Sequence, residues 1–149
     1  HYQIEATSYL TAAIGSYSLS LVGGDTLSHS WCAEIWAAKG ASWNSSVSTS
    51  SCATSYDSGA HQWYSSQYYV LVYPGETVTI TERSTAFDAF LNVTVVGTSP
   101  AQVFTNDNGG GGTDAQVVLT NSGTGLALLL VDAGTKNSGT IGAFTVAIQ

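Results

Sequence analysis

Residues 68–81 read Tyr-Tyr-Val-Leu-Val-Tyr-Pro-Gly-Glu-Thr-Val-Thr-Ile-Thr, and their reading decides the fold class. Tyr68 to Tyr73 is a short run of aromatic, β-branched and aliphatic residues, which favours a strand. Pro74-Gly75 then makes a turn pair, because proline presets φ and glycine tolerates a positive one. Beyond it Val78 and Ile80 alternate with Thr77, Thr79 and Thr81, the period of two that places one face of a strand in a core and the other in water. The stretch is therefore a strand, a tight turn and a second strand.

The same signals recur on both sides. Tyr17, Leu19 and Leu21 alternate with Ser16, Ser18 and Ser20, and the run stops at Gly23-Gly24-Asp25. Phe90 to Val96, Gln102 to Thr105, Ala115 to Thr120, Leu126 to Val131 and Ala143 to Ile148 supply further strands between turns rich in Gly, Asn and Ser. Helical periodicity is weak, and only Trp31 to Lys39 is a candidate for a short helix. Many short strands at near-regular spacing predict an all-β sandwich or jelly roll. A chain of 149 residues is the size of one domain, taken here as 1–149.

Between Ser28 and Ser66 the alternation fails, and the segment holds both cysteines, Cys32 and Cys52. It is expected to be a long insertion without regular strands, tied by a Cys32–Cys52 disulfide. Closing that loop would add about 3 kcal/mol in the chain-entropy model. The first residue is His1, and no basic segment followed by an apolar run precedes the first strand, as expected of a chain freed of a signal peptide. A paired cysteine fits the same oxidising, extracellular setting.

From Gln67 onward the order of features resembles the bacterial pre-peptidase C-terminal domain, a module appended to secreted proteases and other extracellular enzymes. The matching pieces are YYVLVYPGETVTIT (68–81), STAFDAFLNV (84–93) with its Phe-Asp-x-x-Leu strand, VFTNDNGGGGTDAQVVLT (103–120), LALLLV (126–131) and GAFTVAIQ (142–149). The resemblance covers a little over half the chain and implies a jelly-roll-like antiparallel β-sandwich. Two departures stand out. Family members commonly carry an Asp pair before the strand that here begins at Tyr68, whereas this chain has Ser65-Ser66-Gln67, which puts a calcium site of that kind in doubt; the Trp-rich insertion has no family counterpart.

Charge is sparse and acidic: Lys39, Arg83 and Lys136 stand against ten acids, for a net charge of -7. Nucleic acid and anionic lipid need clustered Lys and Arg, so both are poor partners. The longest apolar run, Leu126 to Val131, is far short of the roughly 20 residues that span a bilayer. Chemistry-bearing patterns are equally thin. There is no G-x-S-x-G elbow and no H-E-x-x-H. Most acids sit beside turns, as at Asp25, Asp57, Glu76, Asp107 and Asp132, rather than as a pair across a cleft. The chain reads as non-enzymatic.

Candidate binding residues come from four sources. Calcium takes six to eight oxygens, and the Gly-rich turn at Asp107, Asn108 and Asp114, with Asp88, offers carboxylates and an amide, although the spacing matches no EF-hand. His1, with its free amine and His29 or His61, is a weaker copper candidate. Trp31, Trp36, Trp43, Trp63, Tyr64, Tyr68 and Tyr69 form an aromatic group suited to stacking on sugars or anchoring an interface, or else to filling a satellite core. Asn44-Ser45-Ser46 and Asn92-Val93-Thr94 are glycosylation sequons, of which Asn44 is the usable one because Asn92 falls in a strand.

The leading expectation is a secreted structural or adhesive surface protein, a filament subunit that self-associates by strand pairing through a tail such as Tyr2 to Tyr9. The alternatives are a glycan- or protein-binding accessory module of the pre-peptidase C-terminal type and a small secreted enzyme of unrecognised type.

Overall fold

The computed structural model describes residues 34–54 and 63–149. The tail Tyr2 to Tyr9 and the expected strand Tyr17 to Leu21 lie outside them. The described residues form ten strands in chain order: β1 (Glu34–Ala37), β2 (Ser42–Val47), β3 (Cys52–Thr54), β4 (Trp63–Val72), β5 (Thr77–Arg83), β6 (Ala89–Val95), β7 (Gln102–Asn106), β8 (Ala115–Thr120), β9 (Ala127–Thr135) and β10 (Gly142–Ile148). One sheet runs β1-β4-β9-β6-β7 with β3 also paired to β4, and the other runs β2-β10-β5-β8. The result is an all-β, two-sheet sandwich.

The turn read from Pro74-Gly75 is present in detail. Glu76 N–H donates to Tyr73 C=O at 3.0 Å, and Gly75 has φ +76°, so the four residues make a type II turn with proline and glycine at the two central places. That turn joins β4 to β5, which belong to different sheets. It carries the chain across the sandwich instead of closing a hairpin within one sheet.

The stretch expected to be an irregular insertion is corrected by the structure. Within residues 28–66, β1 and β3 pair along one edge of β4, and β2 pairs with β10 at the edge of the second sheet. The period of two is present in β2 but disguised, since its inward residues are Trp43, Ser45 and Val47. Ser45 is accepted inside because its hydroxyl lies 3.3 Å from that of Ser66 on β4, so a polar group finds a partner across the interior. The helix considered for Trp31 to Lys39 is instead a strand over Glu34–Ala37, with Lys39 in the turn that follows. Glu34–Ala37 runs parallel to β4, the one parallel pair among the described strands. Ile35 and Ala37 face inward there while Trp36 faces out.

The core lies between the sheets. Tyr68, Val70 and Val72 of β4, Leu129 and Val131 of β9, and Leu91 and Val93 of β6 meet Val78 and Ile80 of β5 and Phe144, Val146 and Ile148 of β10. Two features at the end of β9 are less ordinary. Gly134 turns its N–H inward to donate to the buried carboxylate oxygen Oε2 of Glu82 at 3.1 Å. A Cβ at that position would overlap the Tyr64 carbonyl oxygen and lie 2.8 Å from Ser65 Cα, both backbone atoms that cannot swing aside.

Gly134→Ala is therefore expected to cost about 3 kcal/mol, the upper part of the overpacking range. Urea unfolding of the variant checks this; an unchanged midpoint would show that β4 and β9 can part without penalty.

Candidate functional site

The outer face of the six-stranded sheet is built by the residues that alternate with its core set. Because Tyr68, Leu129, Val131, Leu91 and Val93 point inward, Gln67, Tyr69 and Leu71 of β4, Leu128, Leu130 and Asp132 of β9, and Asn92 and Thr94 of β6 point outward. Register then aligns Trp36, Tyr69, Leu130, Thr94 and Val103 in one row across β1, β4, β9, β6 and β7. At about 4.8 Å per strand the row is roughly 19 Å long.

Leu71 and Leu128 pair in the next row, which Val96 extends by donating its N–H to Leu128 C=O at 2.8 Å. This band is apolar and open. Trp36 is 65% exposed, Val103 51%, Leu71 45% and Val96 43%, with Tyr69, Leu128 and Leu130 half-buried. Trp36 and Tyr69 stand side by side with ring centroids 5.2 Å apart and planes inclined by 30°, forming a broad aromatic end to the band.

The row on the other side is polar and closed. Gln67 Nε2 donates to Asp132 Oδ1 at 2.8 Å, and Asn92 Nδ2 donates to Asp132 Oδ2 at 3.2 Å. Asp132 and Asn92 are both buried although they face away from the core. Beyond them Trp63 lies half-buried, its indole N–H donating to Lys136 C=O at 2.7 Å, and Lys136 Nζ stands 5.0 Å above the Phe90 ring. The face thus grades from an open aromatic and aliphatic band to a polar row capped by Trp63, Phe90 and Lys136.

The aromatic residues expected to act together are divided between the two sides of the sheet. Trp36, Tyr69 and Trp63 face out. Tyr64 and Tyr68 are buried in the core, and Trp43 packs against it with its ring 6.0 Å from that of Tyr68. Trp31 lies outside the described residues. Sequence reasoning missed Leu71, Leu128, Leu130 and the Gln67–Asp132–Asn92 row. The signal was available in LALLLV, since a strand apolar at both parities has two faces to cover, not one.

Two of the calcium candidates are engaged in ion pairs. Asp107 is held 3.0 Å from Lys136 Nζ, which keeps its carboxyl below the usual carboxylate range, and Asp114 Oδ2 lies 3.3 Å from Arg83 Nε. Asn108 is exposed. The turn is organised by Asn106, whose Oδ1 accepts N–H bonds from Gly109 and Gln116 at 2.6 and 3.1 Å. Asp88 accepts Lys136 N–H through its backbone carbonyl, and its buried Oδ1 has no partner among the described residues. Among those residues no group of three or more His, Cys, Asp or Glu is placed to hold a metal. A cation bound at this turn would compete with the Lys136–Asp107 and Arg83–Asp114 ion pairs.

His1, His29 and His61, the copper candidates, lie outside the described residues, as does Cys32. Cys52 is buried on β3, and the described residues contain no free cysteine. Asn44 is exposed on β2, where its Oδ1 accepts from Thr145 Oγ1 at 3.1 Å, while Asn92 is buried as expected of a strand residue.

No family model matches this sequence, and no curated protein matches it. Among solved structures the chain is similar to the pre-peptidase C-terminal domain of a collagenase from Bacillus anthracis, with a TM-score of 0.52 and 10% identity, over 78% of this chain and 94% of that one. The likeness is one of fold, and it agrees with the resemblance carried by residues 67–149.

A chelator is expected to leave the melting temperature unchanged relative to calcium-supplemented buffer. A drop on chelation would place a metal at the Asp107 to Asp114 turn after all.

Proposed function

We propose that this chain is a non-catalytic binding module of a secreted protein, which holds an extracellular glycan or protein on the outer face of the six-stranded sheet. The observation that carries this reading is Trp36: a tryptophan two-thirds exposed, abutting Tyr69 at the end of an open apolar band. Rigid aromatic anchors give large contact area for little side-chain entropy, and they dominate binding surfaces for that reason. The likeness to a domain of a collagenase supports an accessory role beside an enzyme and an extracellular setting, in which Cys52 would be bridged to Cys32.

Charge narrows the class of ligand. Each of the three Lys and Arg residues is already within 4 Å of a carboxylate: Lys39 with Glu76, Arg83 with Asp114 and Lys136 with Asp107. No Lys or Arg is left unpaired to meet an anionic polymer, which favours a neutral partner: an uncharged polysaccharide or an apolar protein surface.

The strand-pairing subunit draws on a different observation. Among the described residues β8 is an edge strand, and its sequence, AQVVLT, carries neither charge nor proline to discourage a neighbour. It would show as filaments in electron microscopy of the intact protein.

Trp36→Ala is expected to weaken binding to insoluble neutral polysaccharides or matrix proteins about thirtyfold, the roughly 2 kcal/mol of an aromatic hot spot, without lowering the melting temperature. Trp43→Ala, inside the core, should lower the melting temperature instead. Wild-type binding by the Trp36 variant would overturn the proposed site.

A further inference from the structure

Among the described residues one acid, Glu82, points into the sandwich interior, and its surroundings are unlike those of the other acids described. Glu82 lies on β5 with none of its surface exposed, pointing inward in step with Val78 and Ile80. Its Oε2 accepts the N–H of Gly134, which belongs to β9 in the opposite sheet, while Oε1 has no partner among the described residues. The contact crosses the core and joins the two sheets through a single carboxyl group.

Among the described residues no Lys or Arg is free to compensate a charge there. Lys39, Arg83 and Lys136 are all paired with other carboxylates. The groups that do face Glu82 are weakly helpful or unfavourable. From β9 and β6 come the backbone N–H groups of Gly134 and Phe90; from the turn before β8 comes the negative charge of Asp114; from β4 comes the buried hydroxyl of Tyr68. The flanking strands β8 and β10 place Ala115 and Val146 opposite Glu82 in register. Ser45 of β2 and Ser66 of β4, whose hydroxyls lie 3.3 Å apart, add polar groups to the same interior, where the Tyr68 hydroxyl has no hydrogen-bond partner among the described residues.

We infer that Glu82 is a proton-operated latch between the sheets: protonated, it lies neutral in the core and holds β5 against β9 through Gly134; ionised, it requires water and draws the two sheets apart at that end. The inference is independent of the binding face, since Glu82 lies on the other side of β9. Burial raises the Glu82 carboxyl well above the usual range, the two N–H groups oppose that rise less strongly, and the charge of Asp114 adds to it.

The sign of the effect follows from proton linkage. The folded chain keeps a proton on Glu82 at pH values where the unfolded chain has released it. Stability from this group is therefore complete below the ordinary glutamate range and is lost as pH rises through the folded-state titration. Glu76 and Asp107 behave oppositely. The first is lowered by the Tyr73 N–H and Lys39, the second by Lys136, so what they contribute is lost in acid.

The test is urea unfolding of the whole chain and of Glu82→Gln at a series of values from about pH 4 to pH 9. The wild-type unfolding constant should rise up to about tenfold per pH unit above the glutamate range, beyond any rise in the variant. The general repulsion of an acidic chain acts on both alike, so only the difference between them reports on Glu82. Parallel pH dependence in the two proteins overturns the latch. Carboxyl carbon NMR of wild-type Glu82 gives a second reading that does not require the variant to fold. Titration displaced upward supports the latch, and titration in the ordinary carboxylate range overturns it.

Discussion

The antiparallel ladder between β4 and β9, running from Ser65↔Gly134 to Val72↔Ala127, fixes both sides of this molecule at once. Along it, the pairs Tyr68↔Val131 and Val70↔Leu129 close the core, while Tyr69↔Leu130, Leu71↔Leu128 and Gln67↔Asp132 build the outer face. Side chains alternate with a period of two, so a slip of one residue would turn Leu130 into the core and Val131 out of it. Such a slip would also bring Asp132 inward, away from the amides that satisfy it. The register is thus held by apolar packing on one face and by an amide–carboxylate–amide row on the other, and everything attached to the outer face inherits that placement.

Most of the fold is legible in the sequence, and the illegible parts have a common cause. The turn at Pro74-Gly75 and the strands after it are marked by alternation and by residues whose backbone preferences are strong; β8 has the limits that AQVVLT suggests, and β5, β6, β7 and β10 differ by a residue or two. Before Tyr68 the signal weakens, because inward positions are occupied by Ser45 and Ser66, which satisfy each other across the core. Polarity read residue by residue cannot reveal a pair of serines that meet only once both strands are in place. The parallel pairing of β1 with β4 is hidden for a similar reason, since four residues carry little periodicity of their own.

The candidate site was legible only in part. The aromatic residues were visible in composition, but which of them face outward depends on strand parity, and parity separates Trp36 and Tyr69 from Tyr64 and Tyr68 within one pair of strands. The run LALLLV suggested a buried strand, and half of that reading holds: Leu129 and Val131 are buried, whereas Leu128 and Leu130 line the open band. The acids beside turns are a different matter. With ten of them and three cations, no inspection of spacing says which acids receive a partner, and the structure gives the cations to Glu76, Asp107 and Asp114.

That allocation of charge bears on what the proposed binding face could select. Surface ion pairs contribute little to stability, about 0–1 kcal/mol each, so the three pairs matter less for holding the fold than for what they remove from the surface. Once they form, the net charge of -7 rests on acids without a Lys or Arg partner, and the row from Trp36 to Val103 carries no charged residue of its own. Acidic polymers are repelled at long range, and basic ones are drawn to the acids rather than to the band. A neutral partner is neither steered nor repelled, and its affinity rests on shape and apolar contact. The outer face is suited to that kind of recognition, because its rows are set by backbone register and its one buried charge, Asp132, is fully engaged by Gln67 and Asn92.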